Sequence, residues 1–513
     1  KDWVAQWNAP GAPGKFQIAV DGKTLETVFG TEGAEWHWQD GGTVDIKNKK
    51  VKVSLRDLTG FDGRCDAILF CSDAKFAAPE NAAELATFRK RALGLPDMPV
   101  DAGSYDLVVV GGGIAGECAA ISGARSGLKV AFLHDRPVLG GNNSSEVRVH
   151  LGGGINLPPY PKLGTIVKEI GPLKQGNAQP PETYEDEKKM KAVKAEKNIS
   201  LFLNTHAIGV EKEGDKISAV IGKDIRTGGE LSFKATLFAD CTGDGTLGFL
   251  AGAEFRMGRE GENETCESIA PEKGDKMTMG SSVQWYSEER KRAVDFPECP
   301  WAVQFNDETA QKVKMGEWDW ETGMNRDQIK EFEFVRDYGL RVVYGNWVFM
   351  KNKSSDSAKF ANSDLSWLAY VAGKRESRRL MGDVVLQQQD IQEAKDFSDA
   401  CVVTTWTIDL HYPQEKNSKD FPGKEFRSIA VHIPIKPYPI PYRTLYSRNV
   451  ENLFMAGRNI SVTHVALGTV RVMRTTGMMG EVVGMAAAVC VKNKTTPRGV
   501  YEKHLGELID MLK

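Results

Sequence analysis

Neither sign of charge is in excess: 66 Lys and Arg stand against 69 Asp and Glu in 513 residues. No basic cluster breaks that balance, which argues against nucleic acid as a partner. Long apolar runs are also missing. The longest near the end, Val482 to Val491, is about half of a membrane span, so no membrane span is expected. Eight cysteines are scattered without a C-x-x-C pair, and neither a metal site nor a disulfide framework is expected. Cys65 and Cys71 flank an expected strand that holds them too far apart to bridge. No signal-peptide pattern is present; with Lys1 first, the chain reads as processed, and a periplasmic or secreted location is expected, a cytoplasmic one being the alternative. A chain this long exceeds one simple core, so two or three domains are expected.

What is present is organised around Tyr105-Asp-Leu-Val-Val-Val-Gly-Gly-Gly-Ile-Ala-Gly116. Leu107 to Val110 is an apolar, β-branched run too short for a helix, which predicts a buried parallel strand. Gly111, Gly113 and Gly116 follow with G-x-G-x-x-G spacing. The first allows a tight turn, the second lets backbone approach a pyrophosphate, and the third lets helix pack on strand. Glu117 to Ser126 is helix-compatible, and its N-terminus would direct N–H groups and partial positive charge at phosphates. Lys129 to Leu133 is the second strand. The acid expected at its end to meet a ribose is replaced by His134, with Asp135 beside it. Either is able to hydrogen-bond a ribose hydroxyl.

The expected fold class is α/β: a Rossmann-like parallel sheet, a mixed α+β substrate domain, and an N-terminal all-β, sandwich-like module. In residues 1–75, alternating segments (Lys15-Phe-Gln-Ile-Ala-Val, Glu35-Trp-His-Trp, Thr43-Val-Asp-Ile, Lys50-Val-Lys-Val-Ser-Leu, Asp66-Ala-Ile-Leu-Phe) are parted by Gly- and Asp-rich turns. Trp36 and Trp38 read as core or contact aromatics, with a sugar-stacking platform as the sharper alternative. Residues 76–104 form a linker, 105–254 and 441–513 the two parts of the dinucleotide domain, and 255–440 the substrate domain. A second glycine loop, Gly140-Gly-Asn-Asn-Ser144, offers close backbone approach and polar contacts from Asn142 and Ser144. It fits a large prosthetic group lying across several segments. Ala235 to Asp240 runs into Thr242-Gly-Asp-Gly245 at a strand's carboxyl end, where open α/β sheets bind ligands. A helix is expected from Ala372 to about Gln389, with Arg375 and Arg379 on one face. Thr404 to His411 alternates as a strand, placing Asp409 and His411 together.

Three distant segments agree: Val110-Gly-Gly-Gly-Ile-Ala-Gly116, Asp240-Cys-Thr-Gly-Asp-Gly245 and Phe454-Met-Ala-Gly-Arg-Asn459. Together they resemble the FAD-dependent oxidoreductases of the glutathione-reductase-like class. Among these the chain is most similar to a bacterial family often found beside sugar-degrading enzymes. The more specific marks are Asp135-Arg-Pro-Val-Leu-Gly-Gly-Asn142, Gly373-Lys-Arg-Glu-Ser-Arg-Arg379, Ile408-Asp-Leu-His411 and Ala456-Gly-Arg-Asn-Ile-Ser461. The resemblance covers roughly residues 104 to 505. It implies bound FAD held by Gly111, Gly113, Gly116, His134, Asp135, Gly140, Gly141, Asn142, Ser144, Thr242, Gly243, Gly457 and Arg458.

No second G-x-G-x-x-G and no redox cysteine pair is found, so oxidation of a bound small molecule is expected rather than direct reduction by NAD(P)H. The expected reaction removes a hydride from an organic alcohol, carbohydrate-like ones included. A flavin-dependent C–C reductase or dehydrogenase and a carbohydrate-binding protein with a non-catalytic FAD fold are the alternatives. Histidine is the side chain best suited to take the proton near neutral pH. His464, just after Ala456-Gly-Arg-Asn459, is expected as base or flavin-edge donor, His411 as a substrate contact and Arg375 as an electrostatic aid.

Overall fold

A computed structural model of the chain describes residues 14–32, 36–61, 63–73 and 75–513. They divide into two compact units. One gathers the chain up to Asp97 with Glu288–Lys312 and Leu340–Asp364; the other holds Met98–Ser287, Val313–Gly339 and Leu365–Lys513. The division departs from boundaries at 75, 104, 254 and 440, because packing joins residues distant in sequence. In the first unit Phe61 stacks on Trp301 with ring centroids 4.6 Å apart, and Trp301 lies against Tyr344.

The first unit begins with strand Phe16–Val20, paired antiparallel to Lys23–Thr24 and Val53–Asp57. Phe16, Ile18 and Val20 alternate onto one face and with Phe29 make a small core. Among the described residues up to Asp97 this is the only sheet, so the expected sandwich is not found there. Thr43–Ile46 and Asp66–Phe70 alternate in sequence but gain no strand partner, and Leu69 and Phe70 stay exposed. Glu35 of the Glu35–Trp38 segment lies outside the described residues. The Trp38 indole N–H donates to the Pro79 carbonyl at 3.2 Å, a packing role.

The second unit is built on β1 (Val100–Val110), whose Leu107, Val108 and Val109 are fully buried, as the apolar run predicts. It is followed by α1 (Ile114–Arg125), β2 (Val130–Leu133), β3 (Ile199–Phe202), β4 (Thr205–Glu213), β5 (Lys216–Asp224) and β6 (Glu230–Asp240). The sheet order is β3-β2-β1-β6-β5-β4, and β7 (Leu453–Met455) adds in parallel to the end of β6. Val110 is level with both Leu133 and Asp240, and Met455 is level with Asp240. Four parallel strands therefore end together, and the turns beginning at Gly111, His134, Cys241 and Ala456 emerge at one edge of the sheet. That common edge is where a doubly wound sheet binds its ligand. Below it, α2 (Met473–Asn493) packs against α1; a Cβ on Gly480 would lie 2.1 Å from the Ala115 carbonyl oxygen, so only glycine permits that approach.

Two elements differ from expectation. Within the segment expected as a mixed α+β substrate domain, Phe332–Asn352 is one helix in spite of its aromatic and β-branched residues; tertiary packing overrides that propensity. The helix expected from Ala372 is absent. Gly373–Lys374 and Arg379–Leu380 are short strands instead. The charge run there is not a solvated face, since Arg379 is fully buried with Glu376 and Glu260. Arg375 and Arg379 thus share no helix face. Among the described residues no helix is long and apolar enough to cross a membrane.

Candidate functional site

At the shared edge of the sheet lies a cavity of about 680 Å³. This is within the range of about 300–1,000 Å³ usual for small-molecule and cofactor sites. All its lining residues belong to the second unit.

One end is made of glycine turns. Gly111 leaves β1 at φ +108°, and a Cβ there would sit 2.3 Å from the Cys241 carbonyl oxygen. A Cβ on Gly116 would lie 1.8 Å from the Gly111 oxygen, so the first turn of α1 closes on the turn only without a side chain. Gly113 is the N-cap of α1; its Cβ would meet nothing nearer than Gly141 Cα at 3.9 Å. The second loop joins through the Gly140 N–H, which donates to the Gly112 carbonyl at 2.9 Å. Asn142 in that loop donates to the Lys374 carbonyl, and the buried Ser144 hydroxyl accepts from the Glu146 N–H.

The ends of β6 and β7 are tied by Asp240, which is wholly buried. Its carboxylate accepts from the Thr242 N–H (3.0 Å) and hydroxyl (2.7 Å), the Gly248 N–H (2.8 Å) and the Asn459 amide (3.2 Å). Thr242–Gly243 and Gly457–Arg458 are thereby fixed beside each other. Asp244, next in the turn, takes Lys374 at 2.6 Å and Arg458 at 2.9 Å. Burial opposes ionisation of Asp244, but these two cations outweigh it and hold the carboxyl at about 2.

His134 is placed differently from the ribose contact expected of it. Its Nδ1 accepts from the Gly112 N–H at 3.0 Å and its Nε2 lies 3.0 Å from the Val138 carbonyl, so both ring nitrogens are spent on backbone. Asp135, half exposed on the cavity wall and 3.7 Å from His206, is the polar group left at that strand end.

The other end of the cavity is polar and aromatic. Strand pairing of Ser281–Ser282 with both Glu321–Thr322 and Gly373–Lys374 brings Glu321 beside Arg375. A chain of charges follows. Arg375 Nε is 3.5 Å from Glu321 Oε2, which is 2.6 Å from His411 Nδ1; His411 Nε2 is 3.3 Å from Asp409, and Arg471 donates to Asp409 at 2.8 Å. Asp409 and His411 sit two apart on strand Ile408–Pro413 and share a face, as its alternation predicts. Trp318 meets the His411 ring edge-on at 5.1 Å, and the Trp406 indole donates to Asp409. Burial opposes a charge on Glu321, yet Arg375 and His411 outweigh it and hold the carboxyl at about 2.

His464 is not on this cavity. It opens the helix His464–Val470, gives its N–H to Glu260, and turns its ring Nδ1 to Glu376 at 2.9 Å. That buries it in an ionic cluster with Arg379, away from the wall that His411 lines. Sequence reading passed over Glu321 and Arg471, which no motif flags, and gave Asp409 a place beside His411 without a role.

The donor set suits a dinucleotide: N–H groups of two glycine turns, a 12-residue helix pointing its N-terminus into the cavity wall, and the cations Lys374 and Arg458. This defines the class, a dinucleotide-binding α/β protein. The family model described as FAD dependent oxidoreductase matches residues 106–509, and the chain belongs to that family. It is an FAD-dependent oxidoreductase, a flavoprotein enzyme. Among solved structures it is similar to a geranylgeranyl bacteriochlorophyll reductase-like protein from Thermoplasma acidophilum. That match has 14% identity, covers 80% of this chain and 83% of that one, and has a TM-score of 0.34. It is also similar to the Sdh1 complex of Mycobacterium smegmatis (14%, 77% and 69%, 0.32). A third is the myxobacterial chondrochloren halogenase CndH (11%, 78% and 78%, 0.34). No curated protein matches the chain.

Proposed function

We propose that the enzyme oxidises a small organic alcohol, carbohydrate-like alcohols included, and that His411 takes the hydroxyl proton. Bound FAD supplies the acceptor for the two electrons that leave with the carbinol hydrogen. The residues that would hold it are the glycine turns at 111–116 and 140–141, Asp135, Asn142, Ser144, Thr242, Gly243, Gly457 and Arg458.

The observation that carries the assignment of the base is the 2.6 Å contact between Glu321 and His411 Nδ1. A carboxylate held ionised can only accept, so Nδ1 carries the hydrogen. Nε2 lies 3.3 Å from Asp409 Oδ1 but makes no hydrogen bond to it, so it is free to take a proton, and Asp409 then stabilises the imidazolium. Glu321 orients the ring as the acid of a catalytic dyad does. Arg375, with one Nη on Ser282 Oγ (2.7 Å) and the other on the Trp318 carbonyl (2.9 Å), is fixed beside Glu321 and keeps it charged. Its part is positional. Arg471 does the same for Asp409.

The test is anaerobic reduction of the purified yellow protein by a panel of alcohols, sugars among them. Bleaching by at least one alcohol is the expected result. A protein that no alcohol bleaches, but that when chemically reduced is reoxidised by an activated alkene, would replace this reading with a C–C reductase.

The flavin is expected to be held without a covalent bond. Cys241, the one cysteine on the wall among the described residues, is buried, and burial pushes its thiol well up, away from nucleophilic character. Acid or heat precipitation should leave the yellow colour in the supernatant; colour remaining with the polypeptide would contradict this.

A further inference from the structure

The peptide group of Gly112 is held at both ends, and His134 holds one of them. Its N–H donates to His134 Nδ1 at 3.0 Å, while its carbonyl accepts the Gly140 N–H at 2.9 Å. The tautomer follows from the partners. Val138 presents a carbonyl, which only accepts, so the ring hydrogen sits on Nε2 and Nδ1 is bare. The ring is 6% exposed and so close to the turn that a Cβ at Gly112 would fall 2.4 Å from it. One imidazole therefore links the end of β2 to the first glycine turn and, through Gly112, to the second glycine loop.

The same Nδ1 has a second neighbour, Asp135 Oδ1, at 3.3 Å. A bare Nδ1 accepts from Gly112 and gains nothing from the carboxylate. A protonated Nδ1 is a donor: it must turn away from the Gly112 N–H and has Asp135 within reach. The charged groups around the ring are Asp135 on its own strand end, His206 of β4 (3.7 Å from Asp135), and Arg136 and Lys374, whose charges act on Asp135.

We propose that His134 is a positioning residue for the dinucleotide: neutral, it holds both glycine loops ready to bind, and protonated, it lets go of Gly112 and loosens them. This rests on the reading that FAD lies against these loops. Linkage fixes the sign: if binding needs the neutral ring, FAD release takes up a proton, so acid weakens binding and bound FAD disfavours protonation.

The experiment measures FAD affinity of the full-length protein by the fluorescence of released flavin, across a pH series. The wild type should lose affinity as pH falls. His134→Asn places an amide oxygen where Nδ1 accepts, with no proton to gain; it should bind near wild-type strength at neutral pH and lose the acid-dependent part of the release. His134→Ala leaves the Gly112 N–H without its acceptor and should bind about tenfold to a hundredfold more weakly at every pH. An Asn variant that follows the wild-type acid curve, or an Ala variant with wild-type affinity, overturns the proposal. If in that case Gly113→Glu still loses FAD, the glycine cradle stands and only the role of His134 falls. FAD retained by Gly113→Glu would remove the cradle itself and this inference with it.

Discussion

Gly113→Glu should purify as a folded, colourless protein. Gly113 has φ −78° and ψ 176°, a conformation open to any residue, so the backbone itself resists nothing. Its Cβ has room, with the nearest atom 3.9 Å away, and the first turn of α1 tolerates an acid. The longer side chain has only the cavity to enter, and it enters where the helix N-terminus and the glycine loops would meet the pyrophosphate. A carboxylate about 4 Å from a phosphate charge costs on the order of 4 kcal/mol at an effective dielectric of 20, before any steric overlap. That is about a thousandfold in affinity. Gly116→Ala makes the contrast. Its Cβ would lie 1.8 Å from the Gly111 oxygen, so it should damage the fold as well as the site. Visible absorbance, far-ultraviolet circular dichroism and a thermal melt separate the two. Stoichiometric flavin in folded Gly113→Glu would place the phosphate site elsewhere.

The difference between those two glycines shows which parts of the site were open to sequence reading. Spacing identified the turn because Gly111, at φ +108°, and Gly116, whose Cβ would strike the Gly111 oxygen, answer local steric demands, and local demands leave a local pattern. The strand alternation that puts Asp409 beside His411 is legible for the same reason. Glu321 left no trace: it reaches His411 only through the pairing of Ser281–Ser282 with two distant short strands. His464 lies off the cavity wall because closeness along the chain to Gly457–Arg458 says nothing about direction. The helix that His464 opens spends the His464 N–H on Glu260 and points its ring toward Glu376. Arg375 to Arg379 misled in the opposite way: the run reads as one helix face, and only the pairing of Gly373–Lys374 and Arg379–Leu380 with distant strands makes it otherwise. The N-terminal segments alternate well enough for strands, but alternation states only which face is apolar. Pairing partners decide whether a sheet forms, and only Phe16–Val20 and its two neighbours have them among the described residues up to Asp97.

Replacing His411 by Asn should leave FAD in place and slow its anaerobic reduction by the true substrate about a hundredfold to ten-thousandfold, the usual worth of a positioned general base. Asparagine is able to keep a hydrogen bond to Glu321, though it gives up the ring contact with Trp318, so the charges of Glu321 and Arg375 stay where they are. What is lost is an atom able to take the hydroxyl proton. A base must be unprotonated to act, so the wild-type rate should rise with pH across an acid limb and then level; in His411→Asn that limb should flatten. Glu321→Gln supplies the complementary test. An amide is able to donate to Nδ1 as well as accept from it, so the tautomer is no longer fixed, and the rate should fall while the flavin remains bound. Removing Glu321 charge also leaves Arg375 buried without its anion, so some loss of thermal stability should accompany it. His464→Ala, by contrast, should lower stability through its Glu376–Arg379 cluster and leave the acid limb intact. If His411→Asn reduced at the wild-type rate while His464→Ala abolished the limb, the base would be His464, and the cavity wall described here would serve binding alone.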